Sequence, residues 1–240
     1  MPTLTYTRAL LKLSGEVLAG ESGTGIDFGV AEKICGVVAR CVREGAQLGI
    51  VVGGGNFWRG RTGGRMDAVR ADQMGMLATM MNALALADTL EQMGQPALVQ
   101  AAHVMPQFAS CINKRAAIQA LESNQVVIFG GGTGNPFFTT DSTAALRAAE
   151  IEAQVVLKAT NVDGVYDSDP RKNPSAKKYD VVTHDIILEQ RLNVMDATAA
   201  ALCRDKKLPM LVFNLSDPEN ILRALRGENV GTLVREGGCG

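Results

Sequence analysis

The chain has 240 residues, 46% of them hydrophobic but only 5% aromatic, with a formal net charge of −1. This near-neutral balance excludes the basic surface of a nucleic-acid binder, and with neither a signal-peptide pattern nor a long uncharged apolar run the expectation is a soluble cytoplasmic protein with no membrane segment. Five cysteines (Cys35, Cys41, Cys111, Cys203 and Cys239) and only two histidines lack zinc-type spacing and read as reduced thiols, Cys35 and Cys41 buried in a helix and Cys239 exposed in a disordered Gly-rich tail.

Taken in chain order, the first element is an apolar strand at Ala9-Leu10-Leu11, running into Lys12-Leu13-Ser14-Gly15. A Gly-rich stretch, Gly20-Glu21-Ser22-Gly23-Thr24-Gly25, reads as a flexible connection or an effector loop, and a helix follows over 28–44. A strand over 48–52 leads into Gly53-Gly54-Gly55-Asn56 and Phe57-Trp58-Arg59. A long helix spans 66–93, stopped by Gly94 and Pro96, and carries six of the ten methionines. Its apolar residues are core packing on one reading, while their spread beyond one narrow stripe points to a second subunit on the other. Next come a strand over 97–101, a helix over 113–123, a strand over 125–129 and an Ala-rich helix from about Thr140. A strand over 155–159, an irregular segment containing Tyr166 and Asp169-Pro170, helices over 185–191 and 197–205, and a strand over 210–214 complete the pattern. Continuous apolar strands joined by helical crossovers predict an α/β fold, a three-layer α/β/α sandwich with a mainly parallel central sheet. No Pro/Ser-rich linker divides residues 1–240, so one domain is expected.

Three strand ends deliver glycine, two of them beside a cation. The run from Gly130 to Thr143 lies between a strand and a helix start, where unpaired backbone N–H groups and glycines favour a bound phosphate. Its Phe137, Phe138 and hydroxyls add a shaped wall that phosphate alone does not require. Ligands of open α/β sheets collect at strand carboxyl ends, so the loops can line one crevice. No loop has the Gly-Lys-Ser/Thr ending of a Walker A motif or the Gly-x-Gly-x-x-Gly spacing of a dinucleotide fold. A phosphate enzyme outside those two classes is the expectation.

Lys12-Leu13-Ser14-Gly15, Gly53-Gly54-Gly55-Asn56 and Val162-Asp163-Gly164-Val165-Tyr166 with Asp169-Pro170 resemble the amino-acid kinase superfamily, whose members phosphorylate carboxylates, carbamate or phosphates. Gly132-Thr133-Gly134-Asn135-Pro136-Phe137-Phe138-Thr139-Thr140-Asp141, with Met74-Gly75-Met76-Leu77-Ala78-Thr79, is similar to its bacterial UMP kinase branch across nearly the whole chain. The resemblance implies transfer of the γ-phosphoryl group of ATP to UMP, giving ADP and UDP in pyrimidine nucleotide biosynthesis. It also implies Mg²⁺ carried by the ATP phosphates and no protein metal site, GTP activation and UTP inhibition through the Gly20–Gly25 loop, and a homohexamer.

Residue by residue, the resemblance places Lys12, Asp141, Asp196 and Arg59 at the catalytic centre. Lys12 would follow the transferring phosphoryl group, and Arg59 would clamp a phosphate. Asp141, at a helix start, is open to a plain N-cap role or to ordering Lys12 or the hydrated metal, and Asp196 before Ala-Thr-Ala-Ala reads equally as a cap. ATP would meet Lys12, Leu13, Ser14, Gly15, Gly55, Arg59, Thr160, Asn161, Tyr166 and Asp169. UMP would meet Gly54, Asp72, Thr133, Gly134, Asn135, Pro136, Phe137, Phe138, Thr139 and Thr140. Asp72 either accepts from the ribose hydroxyls or is a solvated helix-face carboxylate. The alternatives to a UMP kinase are a kinase of an amino acid or carbamate and a non-catalytic nucleotide- or oxyanion-binding protein.

Overall fold

The computed structural model of the chain describes residues 3–59, 66–170, 172–192 and 194–237; Cys239 lies outside them. The elements in order are β1 (Arg8–Leu13), α1 (Gly15–Leu18), a 3₁₀ turn (Gly20–Ser22), α2 (Phe28–Arg43), β2 (Gln47–Val52), α3 (Ala68–Gln92), β3 (Ala97–Ala101), β4 (Ser110–Cys111), α4 (Lys114–Glu122) and β5 (Val126–Gly130). The second half continues with α5 (Thr140–Glu150), β6 (Val155–Thr160), β7 (Val165–Tyr166), β8 (Lys178–Tyr179), β9 (Val181–Thr183), α6 (His184–Glu189), α7 (Ala197–Asp205), β10 (Met210–Asn214), α8 (Asn220–Leu225) and β11 (Gly231–Arg235).

Short polar side chains set where the helices begin. Asp27, Asp67 and Asn113 each accept from the backbone N–H three residues on, starting α2, α3 and α4. Such a cap is worth about 1 kcal/mol. The long helix expected over 66–93 therefore starts just after Asp67, at Ala68.

Nine strands form one sheet in the order β4-β3-β5-β2-β1-β6-β10-β11-β9, and β7 pairs with β8 in a separate ribbon. From β4 to β10 every pairing is parallel; β11 runs antiparallel to β10, and β9 pairs parallel with β11. Helices cover both faces, as the continuous apolar strands require. Alternation along β1 sends Ala9, Leu11 and Leu13 to the layer of α2, α3 and α8, and Leu10 to the layer of α4, α5, α6 and α7. Each fully buried Leu or Ile in these layers contributes about 1.5–3 kcal/mol. Cys35 and Cys41 belong to the first layer, and burial pushes both thiols up to about 12, which leaves them protonated and inert.

The expected elements are present with ends shifted by a few residues. Beyond them the structure adds β4, the β7–β8 ribbon, β9, α1, α8 and β11. The methionine-rich helix serves two environments at once. Met76, Met80, Leu86 and Leu90 are buried, whereas Met74, Leu77, Met81 and Leu84 are exposed. Among the described residues no helix is long and apolar enough to cross a membrane.

Candidate functional site

Strand order reverses beside β1: the connection from β1 leads to β2 on one side, and β6 lies on the other. This is where an open α/β sheet forms a crevice at its carboxyl edge. Lys12 and Lys158 are register partners on β1 and β6 at that point, so two ammonium groups are delivered side by side to the α5 layer. Asp141, in the first turn of α5, lies between them. Its Oδ1 is 3.0 Å from Lys12 Nζ, and its Oδ2 accepts from Lys158 Nζ, which also donates to the Val194 carbonyl.

These charges are largely withdrawn from water. Burial pushes the Asp141 carboxyl upward, but the adjoining Lys12 and Lys158 outweigh it and hold the group below the usual carboxylate range. Burial pulls the Lys158 ammonium below the ordinary lysine range, with Asp141 opposing that shift. Asp141 alone bridges the two lysines, while Asp196 acts on Lys158 from farther off.

Asp141 is not the cap of α5. Thr139 caps it, its hydroxyl accepting from Asp141 N at 3.0 Å and Ser142 N at 3.4 Å, which frees the Asp141 side chain for the lysines. Asp196 does cap α7, accepting from Ala199 N at 2.8 Å, and also takes the hydroxyls of Thr139 and Ser142. It thereby ties α7 to the start of α5 and fixes the turn that carries Asp141.

A cleft of about 690 Å³ opens on the β6 side. Of the residues expected to hold ATP, Lys12, Ser14, Thr160, Asn161, Tyr166 and Asp169 line it. Lys158 lines it too and is absent from the sequence-based set, although a lysine inside the run Val155-Val156-Leu157-Lys158-Ala159 was a visible signal. The Tyr166 hydroxyl donates to Asp163 at 2.8 Å, and the β7–β8 ribbon supports that wall. Leu13 does not line the cleft; its side chain turns the opposite way from Lys12, into the core, leaving only its backbone. Arg59 does not line it either, and it pairs with Glu16, a cleft residue, at 2.8 Å.

A smaller cavity of about 150 Å³ lies on the α3 side. Gly54, Asp72, Thr133, Asn135, Phe138, Thr139 and Thr140 line it, all expected at UMP, while Gly134, Pro136 and Phe137 do not. Gly55, expected at ATP, lines this cavity and not the larger cleft. Trp58 also lines the cavity, with Gly75, Met76 and Thr79 of the 74–79 motif, none of them in the expected UMP set. Asp72, half-buried on α3, accepts at its Oδ2 from Phe137 N at 2.7 Å, and Phe137 has a φ of 72°. Such left-handed backbone is uncommon for a bulky side chain. Thr140 belongs to this cavity and the adjacent Asp141 to the lysine cluster, so the start of α5 stands between the two cavities.

Close packing explains the glycines of both motifs. A Cβ on Gly15 would sit 2.5 Å from the Gly53 carbonyl, and one on Gly54 would sit 2.7 Å from the Ala78 Cβ, so neither position accepts a side chain without movement. The Gly20–Gly25 stretch is not loose. Gly25 N donates to the Asn56 carbonyl at 3.1 Å, and Asn56 Nδ2 returns a bond to Gly25 O at 2.7 Å.

The sequence profile described as the amino acid kinase family matches residues 7–214, from β1 to the end of β10. The chain belongs to the amino acid kinase family. Solved structures of family members superpose closely. The UMP kinase of Bacillus anthracis is 37% identical with a TM-score of 0.94, covering 97% of each chain. The UMP kinase of Ureaplasma parvum is 40% identical with a TM-score of 0.91, over 96% of this chain and 99% of that one. The uridylate kinase of Archaeoglobus fulgidus is 32% identical with a TM-score of 0.71, over 94% of this chain and 99% of that one. Membership accounts for the α/β/α layering and for a kinase site at the carboxyl edge of the strands.

Proposed function

We propose that this chain is a UMP kinase, transferring the γ-phosphoryl group of ATP to UMP to give ADP and UDP. The observation that carries this reading is a buried Lys-Asp-Lys cluster whose two lysines line the larger cleft and whose Asp141 directly follows Thr140 of the smaller cavity, in a chain similar over its length to UMP kinases. The larger cleft falls within the roughly 300–1,000 Å³ of small-molecule sites and is assigned to ATP. The smaller cavity is assigned to UMP. At about 150 Å³ it lies below that range, so the reading requires the 132–139 segment, held through Phe137 to Asp72, to yield as UMP enters.

The chemistry needs no protein base. The second ionisation of a phosphate monoester lies near pH ~6, so the acceptor oxygen is already anionic at neutral pH. Catalysis is then positioning plus charge neutralisation. Lys12 and Lys158 supply cations at the junction, Asp141 keeps them there, and Asp196 holds the α5 turn. Gly54, Gly55 and Thr140 place backbone and hydroxyl donors toward the UMP phosphate, and Arg59 trades Glu16 for a phosphate when the substrates are present.

Mg²⁺ enters this reading as part of the MgATP substrate. Among the described residues no three His, Cys, Asp or Glu side chains gather as a metal cage, and Asp141 and Asp196 are both committed to protein partners. The ion is read as held by the nucleotide phosphates and water. The reading takes residues 1–240 as one cytoplasmic kinase domain, supported by a single nine-stranded sheet from Arg8 to Arg235. It includes GTP activation and UTP inhibition at the Gly20–Gly25 loop, and a homohexamer for which the exposed face of α3 offers apolar contact area.

The deciding experiment is ADP release from MgATP with UMP, CMP, dTMP, glutamate, aspartate or carbamate, each with and without GTP. UMP-selective release is expected. Turnover with a carboxylate or carbamate alone would overturn the acceptor, and tight nucleotide binding with no turnover would favour a non-catalytic binder.

A further inference from the structure

Asn56 and Asn82 are 2% and 0% exposed, and neither lines the cleft or the smaller cavity. Their amides bond reciprocally, Asn56 Nδ2 to Asn82 Oδ1 at 2.9 Å and Asn82 Nδ2 to Asn56 Oδ1 at 2.7 Å. The second proton of each amide goes elsewhere: Asn82 donates to Gly53 O at 2.7 Å, and Asn56 donates to Gly25 O at 2.7 Å. The Asn56 carbonyl in turn accepts from Gly25 N and from the Thr24 hydroxyl, both at 3.1 Å. Three segments therefore converge on the pair: the 24–25 turn, the glycine loop after β2, and the middle of α3.

Burying two amides is costly unless every polar atom finds a partner, and an apolar pair of similar size would pack a loop against a helix with less at stake. What the amides supply is a defined direction and spacing. Spacing matters here because Gly54 already lies so close to Ala78 and the Gly75 carbonyl that no Cβ fits. The loop so placed carries Gly54 and Gly55, and α3 carries Asp72, all of which line the smaller cavity. No residue of the 53–56 loop lines the larger cleft.

We propose that the Asn56–Asn82 pair is a positioning element of the smaller cavity, setting Gly54 and Gly55 against Asp72 and making that cavity, but not the larger cleft, respond to the 24–25 turn. The proposal rests on the assignment of the smaller cavity to UMP. Asn82→Asp keeps the shape of the side chain and its acceptor for Asn56, but removes the donors to Gly53 O and Asn56 Oδ1. UMP binding is read from the fluorescence of Trp58, the one tryptophan in the chain and a wall of the smaller cavity, and ATP binding by calorimetry.

Asn82→Asp is expected to weaken UMP binding and raise the KM for UMP by about tenfold, with ATP binding unchanged within about twofold. Equal weakening of both nucleotides, or a lowered denaturation midpoint with unaltered UMP affinity, would overturn the proposal. Thr24→Val leaves the amide pair intact and keeps the test readable if Asn82→Asp does not fold. It is expected to weaken UMP binding about two- to threefold, and the double variant to lose less than the product of the single losses. Fully independent effects would remove the link to the 24–25 turn. Absence of UMP-dependent ADP release in the unmodified protein would instead refute the assigned function, a result distinct from any failure of the variants.

Discussion

Lys12, Asp141 and Lys158 hold their charges at side-chain exposures of 12%, 15% and 10%, whereas Arg59 and Glu16, on neighbouring loops, are 60% and 52% exposed. Both groups put cations near the strand ends, yet water treats them differently. In the buried cluster a lysine that loses its carboxylate has no solvent to turn to, so the geometry is fixed before substrate arrives. The exposed pair is screened and easily exchanged, so Glu16 can be replaced by a phosphate at little cost. Under the proposed function, the fixed charge would serve the transferring group and the exchangeable charge the incoming substrate.

The hardest test of this contrast is Asp141→Asn, which leaves two buried lysines facing each other without the carboxylate that bridges them. It is expected to cost about 3–5 kcal/mol in denaturant unfolding, and a cost below about 1 kcal/mol would place the cluster with surface pairs. Lys158→Met or Lys12→Ala removes one cation and leaves Asp141 facing the other. Each is expected to lower kcat by about 10²–10³, and unchanged turnover in either would remove that lysine from the chemistry. Asp72→Asn keeps an oxygen for Phe137 but loses the charge, so the KM for UMP should rise by about tenfold while the KM for ATP holds. The mildest change is Glu16→Gln, expected to alter stability by no more than about 1 kcal/mol; a larger loss would mean that the exposed pair is structural.

Much of the fold could be read along the chain, because the central strands are continuous Val, Ile and Leu runs and the main helices begin at Asp, Asn or Thr caps. The strand over 97–101, the helix over 197–205 and the strand over 210–214 were anticipated to the residue. What escaped detection is short or at an edge. β7, β8 and β9 have two or three residues each, too few for any periodicity, and β11 borrows its identity from β10. The lysine cluster divides in the same way. Lys12 sits in a recognisable motif, but Lys158 joins it only through the register of β1 with β6, a long-range fact that no local window holds. For Asp141 a plain cap and the ordering of Lys12 both stayed open in the sequence: Thr139 and Thr140 precede it, and only the three-dimensional turn shows that Thr139 accepts the N–H groups and leaves Asp141 to the lysines.

The position of β11 bears on how the chain is made. β9 lies at one end of the sheet, and its only neighbour there is β11, the last strand of the described chain; β10 likewise turns its outer edge to β11. On the ribosome β9 and β10 emerge first and must wait, unpaired on that side, for residues 231–235. An unpaired β10 is a sticky edge of buried Met210, Leu211 and Val212. A chain halted at 214, where the family match ends, would carry both lysines and Asp141 and still present that open edge to every other nascent copy.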